Sequence, residues 1–111
     1  MADMISLKEN RDFRRLYGKG KSFVSPVVVT YIMKNRCRQV RYGITTSKKI
    51  GKAVQRNRSR RVTREAFRQL SPQVKPGYDF VFVARGKTPY VKCGEVKDAL
   101  EAHLKKAGVL L

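Results

Sequence analysis

Arg56, Arg60, Arg64 and Arg68 recur at every fourth position within residues 47–68, SKKIGKAVQRNRSRRVTREAFR. This stretch holds nine cations, Lys48, Lys49, Lys52, Arg56, Arg58, Arg60, Arg61, Arg64 and Arg68, against one anion, Glu65. On a helix at 100° per residue the four arginines form a row with Asn57 and Arg61 beside it, while Ser59, Val62, Thr63, Ala66 and Leu70 share the opposite face. Arg58 borders that apolar stripe. Like charges four apart destabilise an isolated helix by about 0.2 to 0.5 kcal/mol per pair, so three pairs in series need a polyanion alongside. Guanidinium forks match phosphate oxygens in pairs, and the Asn57 amide can reach a base edge or a 2′-hydroxyl.

Stacking is the second available chemistry. Phe13, Tyr17 and Tyr31 have polar or basic neighbours, and a base stacked on an aromatic ring is worth about 1 to 3 kcal/mol. Phe13 fits a core position equally well, whereas the hydroxyls of Tyr17 and Tyr31 favour a solvent-facing role. Acid, base and metal chemistry have no comparable support. A protein nuclease needs clustered carboxylates for metal ions or a pair of histidines. His103 is the only histidine and falls among Ala102, Leu104 and Lys105, a setting that suits a structural or surface role. Asp12 and Glu9 lie three apart on a basic segment and read as local charge balance. No GxxxxGK[ST] or GxGxxG phosphate loop occurs. The sequence thus predicts no catalytic residue, no protein-held metal and no small-molecule substrate.

Charge supports the same direction. With 26 Lys and Arg against 8 Asp and Glu, the 111-residue chain has a formal charge of +18, the footprint of a nucleic-acid binder. Its scattered acids do not make the mixed surface of an ordinary solvated face. A membrane surface is the other polyanion to weigh, but the basic helix lacks the Trp, Phe and Leu face of an interfacial anchor. No apolar run of 18 residues and no secretory leader pattern is present, so the expected compartment is the cytoplasm. There, Cys37 and Cys93, with no CxxC, are expected to be reduced and partly buried. Length and a hydrophobic content of 41% fit one domain over residues 1–111, with residues 1–5 as a loose terminus.

The elements that must position these residues follow from periodicity. Ser6 and Glu9 have the form of a capping box, and Phe13, Leu16 and Tyr17 continue it as a short helix ending at Gly18 or Gly20. Residues 22–24 add a brief strand that Pro26 keeps from the sheet centre. VVVTYIM at 27–33 and VRYGITT at 40–46 read as strands of an antiparallel hairpin, with Arg41 pointing away from the Val40 and Tyr42 face. The basic helix spans about 53–70 and stops at Ser71 and Pro72. YDFVFVA at 78–84 is a central strand, and a last helix over 93–107 buries Val96, Leu100 and Leu104. The predicted order is α-β-β-β-α-β-α, an α+β sandwich whose sheet keeps an exposed cleft beside the first helix.

Residues 43–68, GITTSKKIGKAVQRNRSRRVTREAFR, with Arg56, Asn57 and Arg58 as an RNR motif, resemble the protein subunit of bacterial ribonuclease P. Weaker likeness extends to Asp12, Phe13, Tyr17, Ser22, Phe23 and Tyr31, and to YDFVFVAR at 78–85. The resemblance implies a ribosomal-protein-S5-domain-2-like sandwich with a left-handed βαβ crossover through the basic helix. It also implies that the partner is a catalytic RNA, which removes the 5′ leader of precursor tRNA using Mg2+ held mainly by the RNA. By that likeness Lys48, Lys49, Lys52 and the RNR helix grip the catalytic RNA, and Phe13, Tyr17 and Tyr31 line a cleft for the leader. The family tends to place larger apolar residues at positions 59 and 63, and Val at position 46, which implies a thinner helix core here. A ribosomal or RNA-chaperone protein of similar charge is the rival reading, and a protein nuclease the third.

Overall fold

The computed structural model describes residues 4–111. In chain order the elements are β1 (Met4–Ser6), α1 (Asn10–Lys19), β2 (Lys21–Val24), β3 (Val28–Lys34), β4 (Val40–Thr45), α2 (Ala53–Leu70), β5 (Tyr78–Ala84) and α3 (Cys93–Ala107), with short 3₁₀ turns at Lys48–Ile50, Ser71–Gln73 and Thr88–Tyr90. The five strands form one mixed sheet in the order β1-β4-β5-β3-β2.

Three expectations are corrected. β3 and β4 are not a hairpin: β5 lies between them, antiparallel to β3 and parallel to β4. Adjacent apolar strands in sequence invite a hairpin reading, yet β5 is buried along nearly its whole length and takes the centre, where both its edges are paired. The capping box does not form either. Ser6 belongs to β1, and Glu9 is the residue before α1 and makes no side-chain cap. Finally, Met4 and Ile5 are not loose, because β1 pairs in parallel with β4 from Met4↔Val40 to Ser6↔Tyr42. The remainder of the expected loose terminus, residues 1–3, lies outside the described residues.

Alternation along the strands gives the sheet two different faces. Val28, Ile32, Val40, Phe80 and Phe82 point to the side covered by α2 and α3, where Val62, Ala66, Phe67, Leu70, Val96, Leu100 and Leu104 complete the main core. Phe67 is its hub, with ring centroids 4.9 Å from Phe82, 5.3 Å from Phe80 and 5.5 Å from Tyr42. Ser59 and Thr63 are both fully buried on the inner side of α2. Ser59 returns its hydroxyl to Gln55 O at 2.9 Å, whereas the hydroxyls of Thr63 and Thr46 find no partner. Positions 63 and 46 therefore carry the cost of a buried unpaired hydroxyl, which Ser59 avoids.

On the opposite face Leu7, Leu16 and Val81 form a smaller core with Phe13, Tyr31, Met33 and Val83 around it. Helix α1 closes this second layer through Leu16, and Gly20 ends it, donating its N–H to Leu16 O at 2.9 Å. A Cβ at position 20 would stand 2.6 Å from that carbonyl oxygen.

His103 is buried in α3 and shares a 2.8 Å hydrogen bond through Nδ1 with the fully buried Thr30 hydroxyl. Burial, aided by the nearby Lys106 charge, pushes its pKa below the ordinary 6.5. The unfolded chain then binds the proton more readily, so stability contributed by neutral His103 is complete above pH 6.5 and declines as pH falls through and below that value. Urea midpoints followed from pH 7.5 to 5 are expected to fall, and His103→Gln to flatten the fall. A midpoint that rises on acidification would contradict the account.

Candidate RNA interface

Helix α2 has its inner face taken up by the core, and this fixes where its cations go. Arg58, Arg60, Arg61, Arg64 and Arg68 are exposed and Arg56 is half-exposed. Val54, Asn57, Arg60, Arg61 and Arg64 line a shallow hollow of about 600 Å³ on the outer surface. Among the described residues Arg56, Arg60, Arg61 and Arg64 make no ion pair. No ion pair among those residues offsets their mutual repulsion.

Two arginines of the stretch are partly engaged. Arg68 forks onto Glu65 with bonds of 2.9 and 2.6 Å. Hydrogen bonds from Arg68 and then Gln69 lower the Glu65 carboxyl to about 2. Arg58 donates its Nε to Pro89 O at 2.6 Å, tying α2 to the 3₁₀ turn ahead of α3. The RNR motif therefore has one member with a structural bond. Lys48, Lys49 and Lys52 are exposed just ahead of α2, and Lys52 occupies its N-cap without a side-chain bond to the first-turn amides. Those amides and the helix dipole add to the positive potential there.

The aromatic residues gather on the other face of the sheet. Asn10, Phe13, Arg14, Tyr17 and Thr45 line an open groove of about 600 Å³. Tyr17 is 42% exposed, and its hydroxyl donates to Thr45 Oγ1 at 3.3 Å. Its ring meets that of Tyr31 edge to face, at 5.0 Å and 79°. Phe13 and Tyr31 are half-buried against the smaller core, so each combines packing with partial exposure. All three residues singled out from the sequence thus belong to one surface. Asn10 and Arg14 join the groove beyond the residues singled out from the sequence, each within four positions of Phe13 or Tyr17 on the same side of the helix. Gly43 was not singled out either. A Cβ there would come within 2.5 Å of the Phe13 ring, so only glycine lets the ring lie on the sheet.

Among the described residues no three of His, Cys, Asp and Glu gather as a metal site, and no helix is long and apolar enough to cross a membrane. Cys37 and Cys93 are both free; Cys37 is exposed rather than partly buried, and Cys93 is half-buried. A basic α+β fold presenting an arginine row on one side and an aromatic groove on the other has the surfaces of a nucleic-acid-binding protein.

A model of the Ribonuclease P family matches residues 1–108. The ribonuclease P protein component of Clostridium botulinum strain Loch Maree is 42% identical over 104 residues, covering 93% of this chain and 94% of that protein. That of Oceanobacillus iheyensis is 39% identical over 112 residues, covering 99% and 92%. Among solved structures, the RNase P protein of Staphylococcus aureus superposes with a TM-score of 0.83 at 34% identity, covering 96% of this chain and 97% of that one. The RNase P protein of Thermotoga maritima gives 0.80 at 32%, covering 91% and 96%. The chain belongs to the ribonuclease P protein family. It is a protein component of the ribonucleoprotein endoribonuclease that processes tRNA 5′ ends, and membership implies ribonuclease P RNA and precursor tRNA as partners. Membership of this family replaces the ribosomal and RNA-chaperone readings.

Gly43→Ala is expected to displace Phe13 and destabilise the fold by about 1 to 3 kcal/mol, as overpacking does. Its urea midpoint against the parent checks this, and an unchanged midpoint would mean that the ring is not confined by the sheet.

Proposed function

We propose that the outer surface of α2 and its approach bind the catalytic RNA through Lys48, Lys49, Lys52, Arg56, Asn57, Arg58, Arg60, Arg61, Arg64 and Arg68. In the same reading, Phe13, Tyr17 and Tyr31 receive the single-stranded 5′ leader of precursor tRNA. The observation that carries the first half is the outward row of cations in which Arg56, Arg60, Arg61 and Arg64 make no ion pair among the described residues. Phosphates supply the missing counter-charge, and each phosphate neutralised releases condensed counterions. The second half rests on the groove, where Tyr17 is exposed yet held by Thr45 and Tyr31. A ring fixed in this way loses little freedom when a base stacks on it.

The protein then contributes binding energy and charge neutralisation, while hydrolysis takes place at Mg2+ held mainly by the RNA. It acts as one domain over residues 1–111, in the cytoplasm, with no membrane and no small-molecule substrate. Its likeness to the family supports a left-handed β4–α2–β5 crossover of the ribosomal-protein-S5-domain-2-like kind.

Two arms of one binding experiment separate the surfaces. Arg56→Ala or Arg60→Ala is expected to lower the slope of log affinity for the catalytic RNA against log salt by about 0.7 to 0.9 per phosphate no longer neutralised. Tyr17→Ala in the holoenzyme is expected to weaken binding of leader-bearing precursor roughly five- to hundredfold while leaving mature tRNA unchanged. Unchanged slopes would remove α2 from the interface, and equal losses for precursor and mature tRNA would remove the leader from the groove.

A further inference from the structure

The register of the sheet lays three rows across the face that α1 covers. Tyr31, Val81 and Gly43 form the middle row; Thr45 stands with Val83 on one side, and Arg41 stands directly opposite Asp79 on the other. Helix α1 sits over the middle, with Phe13 against Gly43 and Leu16 beside Val81. Its Asn10, Arg14 and Tyr17 flank borders the leader groove. The opposite flank presents Arg15 to a separate cavity of about 400 Å³, lined also by Lys34, Asn35, Arg36, Cys37 and Arg41.

Asp79 lies fully buried at the base of this region. It accepts bonds from Arg41 Nε at 2.7 Å and Nη2 at 2.6 Å, from Asn35 Nδ2 at 2.8 Å and from Arg15 Nη2 at 3.2 Å. The bond to Asp79 holds the Arg41 guanidinium protonated more firmly than usual. Asp79 thus fixes two guanidinium groups, and among the described residues neither Nη1 makes a hydrogen bond. Among the described residues the only carboxylates that pair with the four cations Arg15, Lys34, Arg36 and Arg41 are Asp79 and the half-buried Asp12, which Arg15 meets at 3.5 Å. A clamp that merely fastened α1 to the sheet would need neither Lys34 nor Arg36, and no carboxylate pairs with either among the described residues.

We infer that this cavity is a second phosphate-binding site for RNA, on the flank of α1 away from the leader groove, with Asp79 orienting the arginine forks and Lys34 and Arg36 completing the positive rim. Its ligand is a backbone phosphodiester, which a planar fork can bind through two oxygens. Either the catalytic RNA or the precursor tRNA can supply that group.

Cys37, exposed on the cavity wall, is a native reporter. Its alkylation by iodoacetamide is measured in the free protein, with catalytic RNA, and after adding precursor tRNA. Because the Cys93 thiol meets Val62 O of α2, beside the surface proposed for the catalytic RNA, the measurement is made in a Cys93→Ala background, where Cys37 is the sole thiol. Slowing at Cys37 with catalytic RNA alone assigns the phosphate to that RNA; slowing only after precursor is added assigns it to the substrate. In that same binding step, Lys34→Ala/Arg36→Ala, which leaves the Asp79 bonds intact, is expected to lower the salt slope by about 0.7 to 0.9 for each phosphate that the variant no longer neutralises. The inference is overturned if Cys37 reacts equally fast in all three states, or if the double variant keeps the parental slope.

Discussion

The parallel pairing of β4 with β5 is the constraint on which the arrangement of this protein depends. Neighbouring parallel strands cannot be joined by a tight turn, so the chain between Thr45 and Tyr78 must cross one face of the sheet. That connection is the 18-residue helix α2. Packing against the sheet and α3 takes up the side bearing Val62, Ala66, Phe67 and Leu70. The arginines at four-residue spacing are left on the side that meets solvent. Core formation and presentation of the cationic row are therefore one event, and a change that rotates α2 disturbs both.

The other face of the sheet is organised differently. Among the described residues α1 is the one helix that covers it, and a ten-residue helix is too short to hide five strands. Leu16 secures the helix, Gly43 makes room for Phe13, and Tyr17 is held by Thr45 and Tyr31. The groove is defined by what α1 leaves uncovered, with aromatic side chains fixed before any ligand arrives. The cations of α2 and the aromatic rings beside α1 thus belong to separate layers joined through one sheet.

Much of this was legible in local patterns. The length of α2, its buried Ser59, Val62, Thr63, Ala66 and Leu70, the central strand at 78–84 and the last helix all follow from periodicity, and the structure reproduces them. Phe67 escaped because it lies 140° from Val62 on the helical wheel, outside a stripe drawn for a helix with one neighbour. With α3 packed beside the sheet, a wider arc of α2 is buried. Strand pairing was not legible, because the partner that separates β3 from β4 arrives more than thirty residues later. Asp79 was the least readable feature: a lone acid in an apolar strand acquires meaning only when Arg15, Asn35 and Arg41, from three other segments, converge on it. Phe13 could be placed in the core or in the groove, and its half-buried ring serves both.

On the proposed reading the protein supplies charge neutralisation and a groove for the leader, and exerts its effect through the RNA. The most direct test is the rate of 5′-leader removal from precursor tRNA by the catalytic RNA at low magnesium, with and without this protein, alongside the protein alone. The account predicts a faster reaction and a lower magnesium requirement when the protein is present, and no cleavage by the protein by itself. Cleavage without the RNA, or an unchanged rate on adding the protein, would contradict it.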